Sequence, residues 1–194
     1  MSKAERTRQF IIEKAAPVFN TKGFAGTSLS DMTEATGLTK GSIYGNFADK
    51  DEVALECFDY TYKKVSTLIR REMEKHSSYR EKLLVYVEVY TNRGSHDLPV
   101  GGCPVLNTTV DADDTHPGLR AKAGAALLDW KERMTSLIEK GKAAGEFKAT
   151  VNSEQVALTI IAMLEGMIVV ARSTGKPTHA KAVINSLEDL IKHL

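Results

Sequence analysis

Apolar residues recur every three or four positions in successive stretches of the chain, and glycine, proline or polar turns separate these stretches. This spacing is typical of amphipathic helices that pack one face against a core. We therefore predict an all-α protein. The predicted long helices cover residues 3–22, 50–75, 79–91, 117–142, 153–170 and 178–193.

A helix-turn-helix is predicted in the gap between the first two long helices. Ser28 and Asp31 have the spacing of a capping pair that would satisfy the free amides at the start of one short helix. Gly37 is expected to end that helix, and the hydroxyl of Thr39 suits the N-cap of the next. Two short helices joined by a glycine turn also occur as ordinary helical packing, so spacing alone leaves both interpretations open.

The second short helix has one apolar face and one polar face. Ile43 and Phe47 are four residues apart, so both are expected to turn toward the protein interior. Gly41 and Gly45 leave room for a phosphate backbone to come close. The outward face carries hydrogen-bonding groups around one cation, a set suited to a DNA major groove: Lys40, Ser42, Tyr44 and Asn46.

Three strings in this region resemble the DNA-binding domain of TetR-family transcriptional repressors. They are Gly23 through Thr27, then Ala35-x-Gly37-Leu38, then Lys40-Gly-Ser-Ile-Tyr44-x-Asn-Phe47 with Lys50 beyond. The resemblance implies that the Tyr44 and Lys50 positions bind DNA phosphates while the helix beginning near Thr39 enters the groove. It implies an N-terminal three-helix DNA-binding domain over residues 1–50 and a helical effector-binding and dimerisation domain over residues 51–194. The full predicted DNA-binding set is Thr27, Thr39, Lys40, Ser42, Tyr44, Asn46 and Lys50.

Lys50 has an alternative interpretation as a solvated lysine in the first turn of a helix. Asp49 with Glu52 forms a further capping pattern there. The basic residues near the N-terminus could follow phosphates or could be solvated. Pro17 is expected to loosen the first helix near Glu13, because proline removes a backbone hydrogen bond.

Composition favours a compact soluble protein. The chain has 194 residues and 42% hydrophobic content, which is enough for one good core or two small ones. The N-terminal residues are charged and lack an apolar signal core, so we expect a cytoplasmic protein without a membrane partner. A net charge of +1 argues against coating of nucleic acid and for a local DNA-reading patch.

An effector site is predicted among aromatic and methionine side chains of the later helices. Trp130 and Met134 lie on the apolar stripe of the helix over 117–142. They would face the helix over 79–91, which is apolar nearly all round, as expected for a central helix. The same stripe could be plain core, and the sequence does not choose between these interpretations. The predicted pocket comprises Tyr86, Tyr90, Trp130, Met134 and Met163.

Cys103 is a candidate sensor within the effector domain. It precedes Pro104, which suits a first helical position, and a thiol at a helix N-terminus can be made more nucleophilic. Its Gly-Gly-Cys-Pro setting resembles the cysteine-bearing loop of TetR-family members that release DNA after thiol modification. A buried structural cysteine is the alternative. With only Cys57 and Cys103 and no CxxC pair, neither a disulfide scaffold nor a thiolate metal site is expected.

An acidic turn between Asp111 and His116 invites a metal interpretation. Its spacing does not repeat a calcium loop, so we expect Thr115 or Asp114 to cap the helix that starts at Pro117 instead. No metal or cofactor is predicted.

The last two helices are predicted to form a dimer interface, because they carry more apolar surface than one subunit is expected to cover. The TetR-family resemblance implies the same arrangement. Glu165 is the one charge within this apolar run, and it would face either the interface or a ligand. The predicted interface residues are Leu164, Met167, Val183, Leu187 and Leu190.

These observations together predict a ligand-responsive transcriptional repressor. It would bind a palindromic double-stranded DNA operator as a homodimer and release it on binding a small-molecule effector or on thiol modification. An enzyme is not expected, since no catalytic triad order, Walker loop, dinucleotide fingerprint or HExxH string is present. An architectural DNA binder would require a more basic surface and a smaller partner domain.

Overall fold

A computed structural model describes residues 1–91 and 98–194. Residues 92–97, which follow the helix predicted over 79–91, lie outside the described residues. The described residues form helices and no strand, which confirms the all-α prediction. The helices are α1 (Lys3–Gly26), α2 (Leu29–Thr36), α3 (Lys40–Tyr44), α4 (Lys50–Met73), α5 (Tyr79–Thr91), α6 (Pro104–Ala112), α7 (Pro117–Ala143), α8 (Ser153–Thr174) and α9 (Pro177–Lys192).

The helices divide into two compact units. The first unit comprises Met1–Val65 and Pro99–Ala126, and the second comprises Ser66–Leu98 and Leu127–Leu194. Helices α4 and α7 each contribute residues to both units. The functional boundary predicted between residues 50 and 51 stays a prediction.

The core of the first unit lies where α1, α2, α3 and the start of α4 meet. Ile11, Met32 and Ile43 are completely buried there, each from a different helix. Burial of each of these side chains contributes about 1.5–3 kcal/mol relative to exposure. The short helices α2 and α3, too short to be stable alone, therefore depend on this shared core.

Helix α1 is interrupted at Gly23 and not at Pro17. Gly23 has φ 72° and ψ 177° and is the one residue inside α1 whose backbone is not helical. The predicted loosening near Glu13 is therefore wrong, since the backbone stays helical past the proline. A positive φ favours glycine because it has no Cβ, and that property sets the position of the break.

The second unit is built from α5, α8 and α9 together with the C-terminal parts of α4 and α7. Helix α9 contacts both α8 and α5 within this unit. Leu164, Met167 and Leu187 are at most 5% exposed in the single chain. The argument that their apolar surface lacks other cover was therefore wrong, because α5, α8 and α9 cover it together. Val183 and Leu190 are half-buried.

Helix α8 is long and apolar enough to cross a membrane by length and composition alone. The core helix of a soluble protein meets the same test, and α8 contains Glu165 and Arg172 and supplies Ile160 and Leu164 to the core. No membrane-protein fold is indicated.

Candidate nucleic-acid interface and effector site

The helix-turn-helix is defined by the local caps that its sequence predicts. The Ser28 hydroxyl accepts from the Asp31 amide while the Asp31 carboxylate accepts from the Ser28 amide, so both halves of the capping box are present. Gly37 ends α2 in the left-handed conformation at φ 69°. The Thr39 hydroxyl then accepts from the Ser42 amide at 3.2 Å and caps α3. These contacts confirm the predicted start of each helix.

Helix α3 presents a polar face away from the core. Ile43 is 0% exposed and Phe47 is 2% exposed, so both point inward as predicted. Thr39 and Lys40 are exposed, and Ser42 is half-buried. This arrangement leaves one cation and two hydroxyl groups on the surface of α3.

Tyr44 and Asn46 are committed in part to the protein itself. The Tyr44 ring is half-buried and packs against the core of the first unit. The Asn46 amide donates to the Ser42 carbonyl at 2.9 Å and so closes the C-terminal turn of α3. Each side chain therefore stabilises the end of α3 and has only its remaining polar atoms for a partner.

Thr27 does not belong to the exposed set. Its side chain lies inside the turn before α2, the residue is 1% exposed, and its hydroxyl donates to the Gly23 carbonyl at 2.6 Å. The placement corrects the prediction of a side-chain DNA contact, since the hydroxyl is used to close the end of α1. Thr27 supports the fold of the motif.

Lys50 lies at the first turn of α4, over an aromatic ring. Its Nζ is 4.3 Å from the centroid of the Phe24 ring, a cation–π distance. Two backbone amides are capped here, since the Glu52 amide donates to the Asp49 carboxylate and the Ala48 amide donates to the Glu52 carboxylate. Lys50 therefore supplies a positive side-chain charge at this end of α4.

Arg8 is a structural cation in the N-terminal part of α1. Its guanidinium donates to the Asn46 carbonyl, pairs with Glu52 at 2.5 Å and Glu56 at 2.8 Å, and lies 4.1 Å from the centroid of the Phe47 ring. These contacts raise the pKa of Arg8, chiefly through the hydrogen bond to Glu56. Arg8 thus joins α1 to the end of α3 and to α4. The sequence signal for this role is the pair Glu52 and Glu56, which lie one helical turn apart on α4.

Three aromatic rings of the predicted effector site are adjacent in the second unit. The Trp130 ring lies 6.0 Å from Tyr86 and 5.9 Å from Tyr90, measured between centroids. All three are buried, Met134 is completely buried, and Met163 is half-buried. Burial raises the pKa of the Tyr86 hydroxyl. The Trp130 Nε1 atom is buried without a hydrogen-bond partner in the part of the chain that the structure describes.

Cys103 lies in the first unit, away in sequence from these rings. It is the N-cap residue of α6, with Pro104 in the first turn, as predicted. Cys103 is only 1% exposed. The Asn20 side chain donates to the carbonyls of Val100 at 2.6 Å and Gly102 at 3.1 Å, so α1 fixes the loop that leads into Cys103.

The acidic turn between α6 and α7 is used for packing. Asp111 accepts from the Phe24 amide at 2.6 Å, and the Nδ1 atom of His116 accepts from the Leu119 amide at 3.1 Å. His116 therefore caps α7, and the expectation that Thr115 or Asp114 would do so is wrong. Among the described residues, no three candidate side chains form a metal-binding group.

Two family comparisons agree with this architecture. Residues 11–57 match the family described as bacterial regulatory proteins, tetR family. Residues 80–187 match the tetracyclin repressor-like C-terminal domain. The transcriptional regulator TtgR of Pseudomonas putida is 26% identical over 171 residues, which cover 85% of this chain and 80% of TtgR.

Solved structures of similar proteins share the fold of the whole chain. A TetR-family transcriptional regulator from Cytophaga hutchinsonii is 50% identical, with a TM-score of 0.95 and coverage of 98% of this chain and 96% of that one. A TetR transcriptional regulator from Chloroflexus aurantiacus is 36% identical, with a TM-score of 0.91 and the same coverage of both chains. The chain is a non-enzymatic transcriptional regulator with a DNA-binding helix-turn-helix and a helical ligand-binding domain, and it belongs to the TetR family.

Proposed function

We propose that this regulator is a cytoplasmic repressor that binds a palindromic operator as a homodimer and releases it when a small molecule occupies the second unit. The observation that carries the proposal is the surface formed by α3 and the start of α4. There Lys40 is exposed on the reading helix, and Lys50 is positioned at the adjoining helix end. Two such surfaces related by a twofold axis would meet two half-sites about one helical turn, or a multiple, apart.

Operator binding is tested by footprinting and by the salt dependence of affinity. Lys50→Ala is expected to weaken binding to all sequences and to reduce the salt slope by about one phosphate contact. Lys40→Ala should also change which bases are preferred, because Lys40 is on the face that enters the groove. Lys140→Ala, an exposed lysine of α7, removes the same charge and should change neither property. Unchanged affinity and preference in Lys40→Ala would contradict the assignment of the groove-facing surface.

The homodimer is supported by apolar side chains that remain exposed on α8. Leu158 is 45% exposed and Val169 is 48% exposed. They lie eleven residues apart on the same helix, about three turns, and so share a face. Val183 and Leu190 of α9 stay in the predicted interface, because each keeps part of its surface accessible. Leu164, Met167 and Leu187 would support this surface from beneath.

The effector is proposed to bind beside the cluster of Tyr86, Tyr90 and Trp130, with Met134 and Met163 as apolar neighbours. Burial, aromatic stacking and an indole N–H without a partner suit an apolar or mixed ligand that carries a hydrogen-bond acceptor. A thermal-shift screen of candidate compounds is the test, since a ligand that binds the folded state raises the melting temperature.

Thiol modification at Cys103 is a second proposed route to release. Because the thiol is 1% exposed, a reagent can reach it only when the preceding loop opens. Opening would break the Asn20 hydrogen bonds to Val100 and Gly102 and so disturb α1 of the DNA-binding motif. Titration of wild type and Cys103→Ser with a thiol-reactive compound, followed by operator anisotropy, tests this. Equal release from both proteins would remove Cys103 as the sensor.

A further inference from the structure

Phe24, at the end of α1, connects Lys50 with a segment distant in sequence. One face of its ring lies under the Lys50 ammonium at 4.3 Å. The His116 ring meets the same ring edge to face, with centroids 4.4 Å apart and an interplanar angle of 82°. All three residues belong to the first unit. The ring is therefore held between the α4 cation and the residue that caps α7.

The backbone at Phe24 is fixed by a second contact from the same segment. Asp111, near the end of α6, accepts from the Phe24 amide at 2.6 Å. A Cβ at position 23 would collide with the Asp111 carboxylate, and Gly23 has a φ of 72° that few other residues adopt. Glycine at this position therefore leaves room for the Asp111 carboxylate to reach the Phe24 amide.

Lys50 differs from Lys22 and Arg8, two other cations close to the helix-turn-helix. Lys22 pairs with Asp31 at 2.5 Å, and Arg8 pairs with Glu52 and Glu56, so carboxylates neutralise both. Lys50 has no ion pair within the described part of the chain, and an aromatic ring orders it instead. An ammonium ordered in this way is not paired with a carboxylate, and it loses less side-chain freedom when it meets a phosphate.

We propose that Phe24 is a positioning residue for the Lys50 phosphate contact, and that Asp111 sets the position of Phe24. This inference rests on the proposed role of Lys50 in operator binding. It places a determinant of DNA affinity in α6, outside residues 11–57 that match the DNA-binding family. Displacement of Asp111 would release Phe24 and leave the Lys50 side chain unordered, which weakens the phosphate contact without touching α3.

A double-mutant cycle tests the inference. The probe is a fluorescein-labelled duplex that the wild-type protein selects from a randomised pool, and anisotropy gives the affinity at several KCl concentrations. Phe24→Leu is expected to weaken binding about two- to fivefold per protomer, the range of an exposed cation–π contact. In the Lys50→Ala background the same substitution should have no further effect, because no ammonium is left to position.

Matched variants separate positioning from stability. Phe24→Tyr keeps the ring and should bind as wild type, and Asp111→Asn keeps an acceptor for the Phe24 amide and should lose less affinity than Asp111→Ala. Phe10→Leu replaces another aromatic residue of α1, whose nearest cation is Lys14 at 5.9 Å, and should leave affinity unchanged. Thermal unfolding of each variant by circular dichroism checks that the proteins compared are folded at the assay temperature.

The outcomes that would overturn the inference differ from those that would overturn the proposed function. Equal losses from Phe24→Leu with and without Lys50 would show a structural role and reject positioning. Wild-type affinity in Phe24→Leu would reject it as well. Unchanged affinity and salt slope in Lys50→Ala would instead reject the proposed phosphate contact, and the inference with it. Failure of the wild type to select any duplex would reject operator binding itself.

Discussion

The Arg8 guanidinium of α1 lies 2.8 Å from the Glu56 carboxylate of α4 and covers the Phe47 ring at 4.1 Å. The same group pairs with Glu52 and donates to the Asn46 carbonyl just after α3. Planar geometry and several fixed donors let one arginine bond three acceptors and stack on a ring at once. The orientation of α3 on its scaffold therefore depends on a side chain from the first two turns of the protein.

Arg8→Ala is expected to lower the free energy of unfolding by about 1–2 kcal/mol, from the lost ion pairs and cation–π contact. Arg8→Lys should recover only part of this, because an ammonium lacks the planar fork that meets these partners together. Urea denaturation provides the measurement. Arg6→Ala removes an exposed arginine from the same helix and should leave stability within experimental error. Equal effects of the two alanine substitutions would contradict the structural role of Arg8.

The same contacts make stability depend on pH through Glu52. The Ala48 amide and then Arg8 stabilise its carboxylate and hold the pKa of Glu52 below its ordinary value. A depressed folded-state pKa gives stability that is present above the unfolded-state pKa of Glu, about 4.3, and is lost as pH falls through the folded value. Glu52→Gln should therefore lower the melting temperature at pH 7 more than at pH 3. A difference that does not change with pH would contradict this linkage.

Contacts between neighbours in sequence explain which parts of the fold were predictable. Ser28 with Asp31, and Thr39 with the Ser42 amide, lie within one turn of each other, so their pattern alone locates the starts of α2 and α3. The end of the predicted helix over 3–22 agrees with the break at Gly23, a residue that permits a positive φ, whereas the contact of Gly23 with Asp111, 88 residues away, follows from no local rule. Pro17 also has a local reason for an irregularity, but the backbone stays helical there.

The candidate site shows the same division between local and distant determinants. The exposure of Lys40 and the burial of Ile43 follow from helical periodicity and were predicted. Thr27 bonds Gly23 and His116 caps α7 through Leu119, four and three residues away, so these contacts are local as well, but the pattern alone did not distinguish His116 from Thr115 or Asp114 as the cap. Leu187 was predicted to lie in an interface because an apolar stripe on a helix indicates that this face is buried, but it does not indicate whether the same chain or a second copy buries it.

Gly101→Ala is expected to destabilise the loop that precedes Cys103. Gly101 has φ +93°, and an added Cβ would lie 2.5 Å from the Asn20 carbonyl oxygen. Gly175→Ala is the matched control, since Gly175 also has a positive φ of +62° but open space around a new Cβ. Both substitutions cost about 1–2 kcal/mol for the left-handed backbone. Gly101→Ala should lower the free energy of unfolding more than Gly175→Ala does, and it should speed the reaction of the buried Cys103 thiol with a disulfide reagent. Equal melting temperatures of the two variants would contradict the backbone clash.

Val169→Glu is expected to give folded monomers if exposed residues of α8 form the dimer interface. A charge at a residue that is 48% exposed in one chain costs little before association and opposes burial against a second copy. Sedimentation velocity measures the mass, circular dichroism measures the fold, and Ser136→Glu on α7 supplies an exposed control. A dimer with unchanged affinity in Val169→Glu would remove this face of α8 from the interface.

Leu187→Glu, which the sequence alone suggests as a dimer-breaking change, is expected to unfold the second unit instead. Leu187 is 1% exposed within one protomer, and an unpaired buried carboxylate costs more than about 4 kcal/mol. The variant should lose its cooperative thermal transition or melt far below wild type. A soluble, fully helical monomer with wild-type stability would show that Leu187 serves association and not the core.

Trp130 should report occupancy of the effector site, because it is the single tryptophan of the chain and its ring stacks on Tyr90 and lies 6.0 Å from Tyr86. A ligand that raises the melting temperature by binding there should shift or quench the fluorescence of this indole.

Trp130→Phe keeps an aromatic ring but removes the Nε1–H donor, which is buried without a partner among the described residues. Loss of one neutral hydrogen bond should weaken the binding of a ligand that carries an acceptor about two- to tenfold. A related ligand without the acceptor should bind both proteins alike. A compound that stabilises wild type and Trp130→Phe equally, with no change in wild-type fluorescence, would place the effector elsewhere.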